Sequence, residues 1–328
     1  MAKKTTHTNS NLHKAKNAKK DEFYTPLNEI ENELRNYKHH FNGKVVLCNC
    51  DKYEQSNFCT YFALNFNALN LKKLICIGYS PDSTAEAHVI ERTADNSVNE
   101  YNVPLKGHGD FRDQESVDFL KESDIVVTNP PFSLFREFVA QLVEYDKKFL
   151  ILGNNNAISY KEIFPLIKED KLWLGYSYNK TMEFKLHPDY DKWDRIDEDG
   201  NKYGRVPAIT WFTNLDVSKR HTGNSISSMT YKHGKAKGLY QKFDNYDAIN
   251  VDRVKDIPND YKGVMGVPIT YLCVHDPEQY EIIGLLASAY DKGQVGIPKL
   301  WDKREARGVV NGKVVYARTL IKKVTEQK

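Results

Sequence analysis

The sequence of 328 residues lacks the usual signals of a membrane-spanning or secreted protein. It contains no run of 18 apolar residues, so we expect no transmembrane helix. No apolar segment follows the basic N-terminus, which argues against a secretory signal peptide. Disulfide bonds are not expected either, because the five cysteines are odd in number and accompany no signal peptide. These absences together predict a cytoplasmic protein with reduced thiols.

Metal-ligand spacing is also absent. Cys48 and Cys50 stand two residues apart on a predicted strand and share one of its faces. Cys59, Cys76 and Cys273 provide no second close pair, so the pattern of a zinc site is missing. We interpret the cysteines as core residues and expect no metal ion. An acidic loop lacks the ligand spacing and glycine of a calcium site, and we interpret its carboxylates as solvated: Asp189, Asp191, Asp194, Asp197, Glu198 and Asp199.

Strong net charge is missing as well, since the formal net charge is only +3. A nucleic-acid surface would therefore have to come from uneven charge distribution. Residues 1–20 contain six lysines and no acid, typical of a disordered basic arm that is either a solvated tail or a contact to DNA phosphates. Residues 218–242 carry six basic residues and no acid. That stretch is either ordinary charged surface or a DNA-facing surface, for which the candidate phosphate contacts are Lys219, Arg220, Lys232, Lys235 and Lys237.

The most informative segment that is present spans residues 124–132. Residues 125–127 form a β-branched run, which is typical of a strand buried on both faces. Asn129 follows the run, and Pro130 and Pro131 each fix φ and offer no N–H. The segment predicts a strand that ends in a rigid loop, at the edge where open α/β sheets bind ligands.

This rigid loop could hold an exocyclic amine. The Asn129 side-chain oxygen and the Pro130 carbonyl oxygen can accept the two amine hydrogens, which aims the nitrogen lone pair at an electrophile. Phe132 offers a flat ring on which a base can stack. A proline-stiffened strand end without chemistry is the alternative interpretation. The tetrapeptide Asn129-Pro130-Pro131-Phe132 resembles motif IV of the methyltransferases that modify amino groups of adenine or cytosine.

Two upstream segments resemble the cofactor motifs of such enzymes. Tyr24 and Thr25 precede a predicted helix over 27–39 and resemble motif X, a clamp on S-adenosylmethionine. The first predicted strand, over 45–51, stands in the position of motif I but lacks its glycine-rich turn. Asn49 and Asp51 occupy that loop as candidate cofactor ligands. Asp51 either binds the methionyl ammonium or only begins a turn.

The next two strand ends supply the remaining cofactor candidates. Tyr79 ends the second predicted strand, over 71–79, and could stack on the cofactor adenine. Asp110 and Phe111 stand at the predicted end of a third strand, where an Asp carboxylate and the next N–H can recognise adenine. Residues 83–105 between them look like an irregular or hairpin insertion.

Helices alternate with these strands, which predicts a doubly wound α/β sheet. One helix is predicted over 56–66, and a second over 134–145. The second carries an apolar stripe at Phe135, Val139, Leu142 and Val143.

Five segments together resemble the EcoRI-type adenine-specific DNA methyltransferases, a gamma-class family: 21–25, 48–51, 128–135, 246–251 and 263–270. The resemblance implies a Rossmann-like, S-adenosylmethionine-dependent methyltransferase sheet followed by a C-terminal DNA-recognition region. It implies a flexible basic arm at 1–20, a catalytic domain at 21–215 and a DNA-binding region at 216–328.

The implied reaction is methyl transfer to N6 of a flipped adenine in double-stranded DNA. The implied role is the modification enzyme of a type II restriction–modification system or a solitary modification enzyme, and the resemblance suggests a GAATTC-like site. We expect a monomer, whose cognate restriction endonuclease is a genetic rather than a physical partner. The alternatives are an RNA or protein-amide methyltransferase and a catalytically silent DNA-binding relative.

Overall fold

The computed structural model describes residues 25–178, 180–186, 193–223, 225–287, 297, 300 and 305–324. The basic arm at 1–20, the clamp residue Tyr24 and the loop acids Asp189 and Asp191 lie outside the described residues. The chain divides into two compact units: the first is Met1–Asn155 with Gly175–Leu215, and the second is Asn156–Leu174 with Asp216–Lys328. Residues 156–174, which fall inside the predicted catalytic stretch, thus cluster with the second unit.

The first unit is an α/β structure built on a large mixed sheet. Elements are numbered along the whole chain. The helices of this unit are α1 (Leu27–Leu34), α2 (Asn57–Leu64), α3 (Gln114–Glu122) and α4 (Phe135–Glu144). Its strands are β1 (Val45–Cys48), β2 (Lys73–Ile77), β3 (Glu86–Arg92), β4 (Val98–Pro104), β5 (Ile125–Thr128), β6 (Lys148–Asn154), β8 (Lys180–Lys185), β9 (Arg195–Ile196) and β10 (Lys202–Thr213).

Four parallel strands form the centre of this sheet, in the order β2-β1-β5-β6. β3 and β4 extend it in antiparallel fashion beyond β2, and β10 extends it beyond β6. The strand order reverses at β1, because β2 pairs on one side of it and β5 on the other. The segments that follow β1, β2 and β5 therefore meet at the carboxyl edge of the sheet, around the reversal point.

The central strands are buried, as their β-branched residues predict. Every residue of β1, β2 and β5 is buried. The first strand is shorter than predicted, because the chain turns after Cys48 and the Asp51 N–H donates to the carbonyl of Ile77 at 3.0 Å. The insertion at 83–105 is a hairpin of β3 and β4, and it takes the place beside β2. The predicted strand leading to Asp110 is wrong, since Asp110 lies in a loop after β4.

One helix start and one buried face can be compared with the sequence predictions. Ser56 caps α2 by accepting a hydrogen bond from the N–H of Phe58 at 3.1 Å. In α4, Phe138 is fully buried, whereas Val143 is 43% exposed. The predicted stripe was therefore wrong at Val143, because the buried face follows the i, i+3, i+4, i+7 rows that include Phe138.

The second unit contains short helices and a smaller sheet. Its helices are α5 (Phe164–Lys168) and α6 (Tyr231–Ala236). A five-stranded sheet has the order β11-β12-β13-β17-β14, with a separate pair of β15 and β16. None of the helices that the structure describes is long and apolar enough to cross a membrane. The strands are β7 (Trp173–Leu174), β11 (Gln241–Lys242), β12 (Ile249–Asn250), β13 (Met265–Pro268), β14 (Tyr280–Leu286), β15 (Val309–Val310), β16 (Lys313–Val314) and β17 (Arg318–Lys323).

A buried carboxylate on α1 anchors that helix within the first unit. Glu33 is 0% exposed, and it accepts hydrogen bonds from the Tyr37 hydroxyl at 3.0 Å and from the main-chain N–H groups of Tyr176 at 2.6 Å and Ser177 at 2.8 Å. α1 begins directly after Thr25 and Pro26. The Glu33 contacts therefore help to fix where the predicted cofactor clamp leads into the fold.

We expect Glu33→Ala to lower the free energy of unfolding, because it leaves two main-chain donors and a tyrosine hydroxyl buried without an acceptor. Each stranded donor costs about 1–3 kcal/mol. Urea unfolding of the wild type, Glu33→Ala and Glu33→Gln measures the loss. The glutamine variant keeps one acceptor and should lose less. An alanine variant as stable as the wild type would show that the anchor contributes nothing.

Candidate functional site

A cavity of about 410 Å³ opens at the carboxyl edge of the sheet in the first unit. Its walls are the segments that follow β1, β2 and β5, together with Thr25 and the loop at 109–112. It brings together eight of the residues singled out from the sequence: Thr25, Asn49, Asp51, Tyr79, Asp110, Phe111, Asn129 and Pro131. Pro130 is buried and Phe132 is half-buried, and neither lines the cavity.

Polar atoms in the cavity wall are available for a ligand. Asn49 is 1% exposed, and both its side-chain oxygen and nitrogen lack a hydrogen-bond partner among the described residues. The Thr25 hydroxyl also lacks a hydrogen-bond partner among the described residues, and Thr25 is 4% exposed. Buried polar groups are nearly always hydrogen-bonded, because desolvation without a partner is costly. The donor and acceptor set therefore suits a polar cofactor held in this cavity.

Asp51 is hydrogen-bonded to groups at the ends of several elements. It is 8% exposed, and its Oδ1 accepts from the Ser56 hydroxyl at 2.6 Å. Its Oδ2 accepts from the Thr128 hydroxyl, and the main-chain N–H of Asn129 donates to the same carboxylate. The carboxylate thus connects the loop after β1 to the cap of α2 and to residues 129–132 after β5. We call residues 129–132 the catalytic candidate loop.

Asp110 forms an ion pair with Arg112. Its Oδ1 accepts from Arg112 Nε at 2.8 Å, and its Oδ2 accepts from Arg112 Nη2 at 2.6 Å. These hydrogen bonds hold the pKa of Asp110 below its usual value, so the carboxylate is kept ionised and able to accept. Phe111 beside it is buried against Phe138, with ring centroids 5.1 Å apart. Tyr79, in contrast, is 50% exposed at the rim, where its ring is open to a stacking partner.

Two glycines lie where loops approach each other closely at the cavity. A Cβ atom on Gly78 would lie 2.5 Å from the Lys52 side chain, and one on Gly109 would lie 2.6 Å from the Gly78 carbonyl oxygen. Gly109 also has a φ of +76°, which side chains disfavour. The close approach of three loops at the cavity therefore requires glycine at these two positions. The sequence contained both, but only their spatial neighbours reveal the need.

The loop that follows β5 contains the two prolines and continues into a short turn. Pro131 has φ −54° and ψ 124°, and a short 3-10 turn over Phe132–Leu134 follows. The Leu134 N–H closes this turn on the Pro131 carbonyl at 2.9 Å. Asn129 is half-buried at the cavity, directly after fully buried Thr128.

Comparison with known proteins decides the family. The family model described as adenine-specific methyltransferase EcoRI matches residues 11–324. The chain belongs to this family. It is 46% identical to the type II methyltransferase M.EcoRI of Escherichia coli, over 98% of each chain. It is also 41% identical to M.MgeORF184P of Mycoplasma genitalium, over 95% of this chain and 98% of the relative.

A third relative and the solved structures complete the comparison. The type II methyltransferase M.MpnI of Mycoplasma pneumoniae is 43% identical, over 85% of this chain and 86% of its own. No solved structure matches the chain at a significant level. Family membership confirms the resemblance seen in the sequence and the predicted class of enzyme, an adenine-specific methyltransferase. A methyltransferase of this family implies S-adenosylmethionine as the methyl donor.

The cysteines group differently from the sequence prediction. The Sγ atoms of Cys48, Cys59 and Cys76 lie within 4.8 Å of one another, and all three residues are buried. Cys50 does not share this environment, because β1 ends at Cys48 and Cys50 lies in the cavity wall. The sequence spacing missed the group because its members come from β1, α2 and β2, which only the fold brings together.

The basic residues of the second unit differ in their exposure. Lys232 and Lys235 are exposed on α6, and Lys237 is exposed just after its end. Lys219 is half-buried in a short 3-10 turn over Ser218–Arg220. Tyr231 on α6 stacks with Tyr240 and with Tyr261. Exposed lysines beside aromatic rings form the basic surface of this unit.

Arg220 requires a correction. It is 4% exposed, it forms an ion pair with Asp170, and its guanidinium lies 4.0 Å over the ring of Trp173. An arginine buried in this way is not exposed to a DNA phosphate. Its positive charge in a basic stretch suggested surface exposure, but its partner stands 50 residues away in the chain. Arg220 is therefore a structural residue of the second unit.

Burial raises the pKa of Asp51 to about 7, because desolvation and the nearby Cys59 disfavour the carboxylate more than its hydrogen bonds favour it. An unfolded aspartate has a pKa of about 3.9. Between these values the folded state binds a proton that the unfolded state has lost, so this group makes the free energy of unfolding fall as pH rises.

We therefore expect the stability of Asp51→Asn relative to the wild type to increase as the pH rises from about 4 to about 7. The measurement is the difference in melting temperature between the two proteins at several pH values, from which constant effects of the substitution cancel. A difference in melting temperature that stays constant across this pH range would contradict the raised pKa of Asp51.

Proposed function

We propose that the chain transfers a methyl group from S-adenosylmethionine to N6 of an adenine flipped out of duplex DNA, as the modification enzyme of a type II restriction–modification system. The observation that carries this proposal is the junction of the Asn129-Pro130-Pro131 loop with a cavity that holds unsatisfied polar groups. The reversal of strand order at β1 supports a Rossmann-like interpretation of the sheet.

The cofactor would lie in this cavity and supply an electrophilic methyl group. Asn49 and Thr25 have buried donor and acceptor atoms that suit its polar groups. Asp110 is an ionised acceptor beside the Phe111 N–H, which suits an adenine edge. Tyr79 offers its ring at the rim. Tyr24, which precedes Thr25, is proposed as the closing part of the clamp.

The catalytic residues would act by position rather than by titration. We assign the Asn129 side-chain oxygen and the Pro130 carbonyl oxygen as acceptors of the two N6 hydrogens. Holding both hydrogens takes the nitrogen lone pair out of conjugation and directs it at the methyl group. Pro130 and Pro131 restrict the backbone that carries the two acceptors, because each proline holds its φ at about −65° and limits the residue before it. Phe132 would stack on the flipped base.

The second unit would position the DNA. We assign the exposed Lys232, Lys235 and Lys237, on α6 and just after its end, to phosphate contacts. The half-buried Lys219, in the turn over Ser218–Arg220, is assigned to a further phosphate contact. Arg220 is not part of this assignment. The proposal keeps the GAATTC-like site that the sequence resemblance suggests, and sequencing of methylated adenines after expression in a methylation-free host tests it.

We expect Asn129→Ala to lower methyl transfer by at least about 100-fold, because it removes one of the two acceptors that orient the amine. Binding of DNA and of the cofactor should survive, since other residues provide it. Asn129→Asp keeps an acceptor oxygen and should retain more activity. Tritiated-methyl transfer to DNA, RNA and protein measures the effect and the substrate class together. Full activity of the alanine variant, or label found only in RNA or protein, would refute the proposal.

We expect the triple variant Lys232→Ala, Lys235→Ala and Lys237→Ala to weaken DNA binding and to reduce its salt dependence by about one unit of slope per lost phosphate contact. The matched control is the triple variant Lys44→Ala, Lys72→Ala and Lys121→Ala. These three lysines are exposed and lie near the amino ends of the central strands, whereas the cavity lies at their carboxyl ends. Fluorescence anisotropy at several salt concentrations measures both. Equal salt slopes for the two triple variants would contradict a role of α6 in phosphate binding.

A further inference from the structure

Three groups converge on the carboxylate of Asp51, and two of them lie at the end of β5 and the start of the catalytic candidate loop. The Thr128 hydroxyl donates to Oδ2, and the Asn129 main-chain N–H donates to the same carboxylate. The third donor, the Ser56 hydroxyl, is itself fixed, because it also accepts the Phe58 N–H as the cap of α2. Asp51 therefore connects the start of a helix to the two residues around the end of β5.

Thr128 has no place in the cavity wall. It is 0% exposed, and the residues lining the cavity include Asp51 and Asn129 but not Thr128. A substitution at Thr128 can therefore affect a ligand in the cavity only by displacing the residues beside it, such as Asp51 and Asn129. Thr128 also immediately precedes Asn129, so a rotation at its main chain would change the direction of the Asn129 side chain.

We propose that Asp51 is a positioning residue for methyl transfer, which fixes the aim of the Asn129 side chain through Thr128 and through the Asn129 N–H. This inference rests on the proposed catalytic role of Asn129. Pro130 and Pro131 cannot absorb a change in φ, so any displacement at Thr128 is passed to the whole loop. The loop is rigid after Asn129 and is fixed before it by the Asp51 carboxylate.

Direct binding of the methionyl ammonium is the competing role for Asp51. A carboxylate has about four acceptor positions, and three of them are occupied by Ser56, Thr128 and the Asn129 N–H. The hydrogen bonds within the protein thus use most of the acceptor capacity. The two roles predict different losses: positioning affects the rate of the chemical step, whereas an ammonium contact affects affinity for the cofactor.

The experiment uses the full chain with Thr128→Val, which keeps the shape of the side chain but removes its hydroxyl. We expect its single-turnover rate, at saturating cofactor and DNA, to fall on the order of 10- to 100-fold. Its cofactor dissociation constant, from titration calorimetry, should stay within about threefold of wild type. Thr128→Ser restores the hydroxyl and should recover most of the rate.

Two further variants keep the test decisive. Thr210→Val removes a buried hydroxyl of β10 that has no partner among the described residues, and it should keep the wild-type rate. Asp51→Asn repeats the measurement should Thr128→Val fail to fold, with the same expected loss of rate at a nearly unchanged dissociation constant. The double variant of Asp51 and Thr128 should lose about as much rate as the Asp51 variant alone, because the contact of Thr128 with Asp51 is already lost when Asp51 is replaced.

Each outcome bears on a separate claim. A wild-type rate for Thr128→Val, or a loss that appears entirely as weaker cofactor binding in Asp51→Asn, overturns the positioning role. Asn129→Ala is measured in parallel. If that variant remains active, the proposed catalytic assignment fails first; if it is inactive while Thr128→Val is unaffected, only the inference about Asp51 fails.

Discussion

The buried carboxylate of Asp51 is the interaction on which the geometry of the cavity depends. Its main-chain N–H reaches the end of β2, and its side chain reaches the end of β5 and the cap of α2. Burial raises its pKa to about 7, so its ionised form is unfavourable in the folded state. Ionisable groups whose burial lowers the free energy of unfolding at neutral pH are common at functional sites. Its place beside Asn129 agrees with that view.

The segment 124–132 could be predicted from the sequence because its signals are local. The β-branched run predicts the strand, and the polar residue after it predicts where the strand ends. The two prolines predict the rigid loop, so none of these features depends on the rest of the chain. The contacts of Asp51 could not be predicted in this way. Thr128 lies 77 residues further along the chain, and the pair forms only because β1 and β5 are neighbours in the sheet. Gly78 and Gly109 were missed for the same reason.

The same distinction explains the residues that were assigned wrongly. Arg220 stands in a run of basic residues, and nothing local shows that Asp170 and Trp173 enclose it. Val143 fits a helical period, but the true buried face includes Phe138 instead. Sequence patterns indicate which residues could be buried or charged at the surface. Which of them find a partner depends on the order of the elements, and that order was only partly predictable.

The loop after β1 is held from two sides, which explains how it works without a glycine-rich turn. On one side Asp51 is hydrogen-bonded to Thr128 and Ser56. On the other, the ring of Tyr53 stacks on His88 of β3, with centroids 3.4 Å apart. In a glycine-rich turn the backbone itself approaches the ligand, whereas here side chains fix the loop. The hairpin of β3 and β4 thereby helps to hold the loop beside the cavity, and the proposed catalysis by positioning would depend on such support.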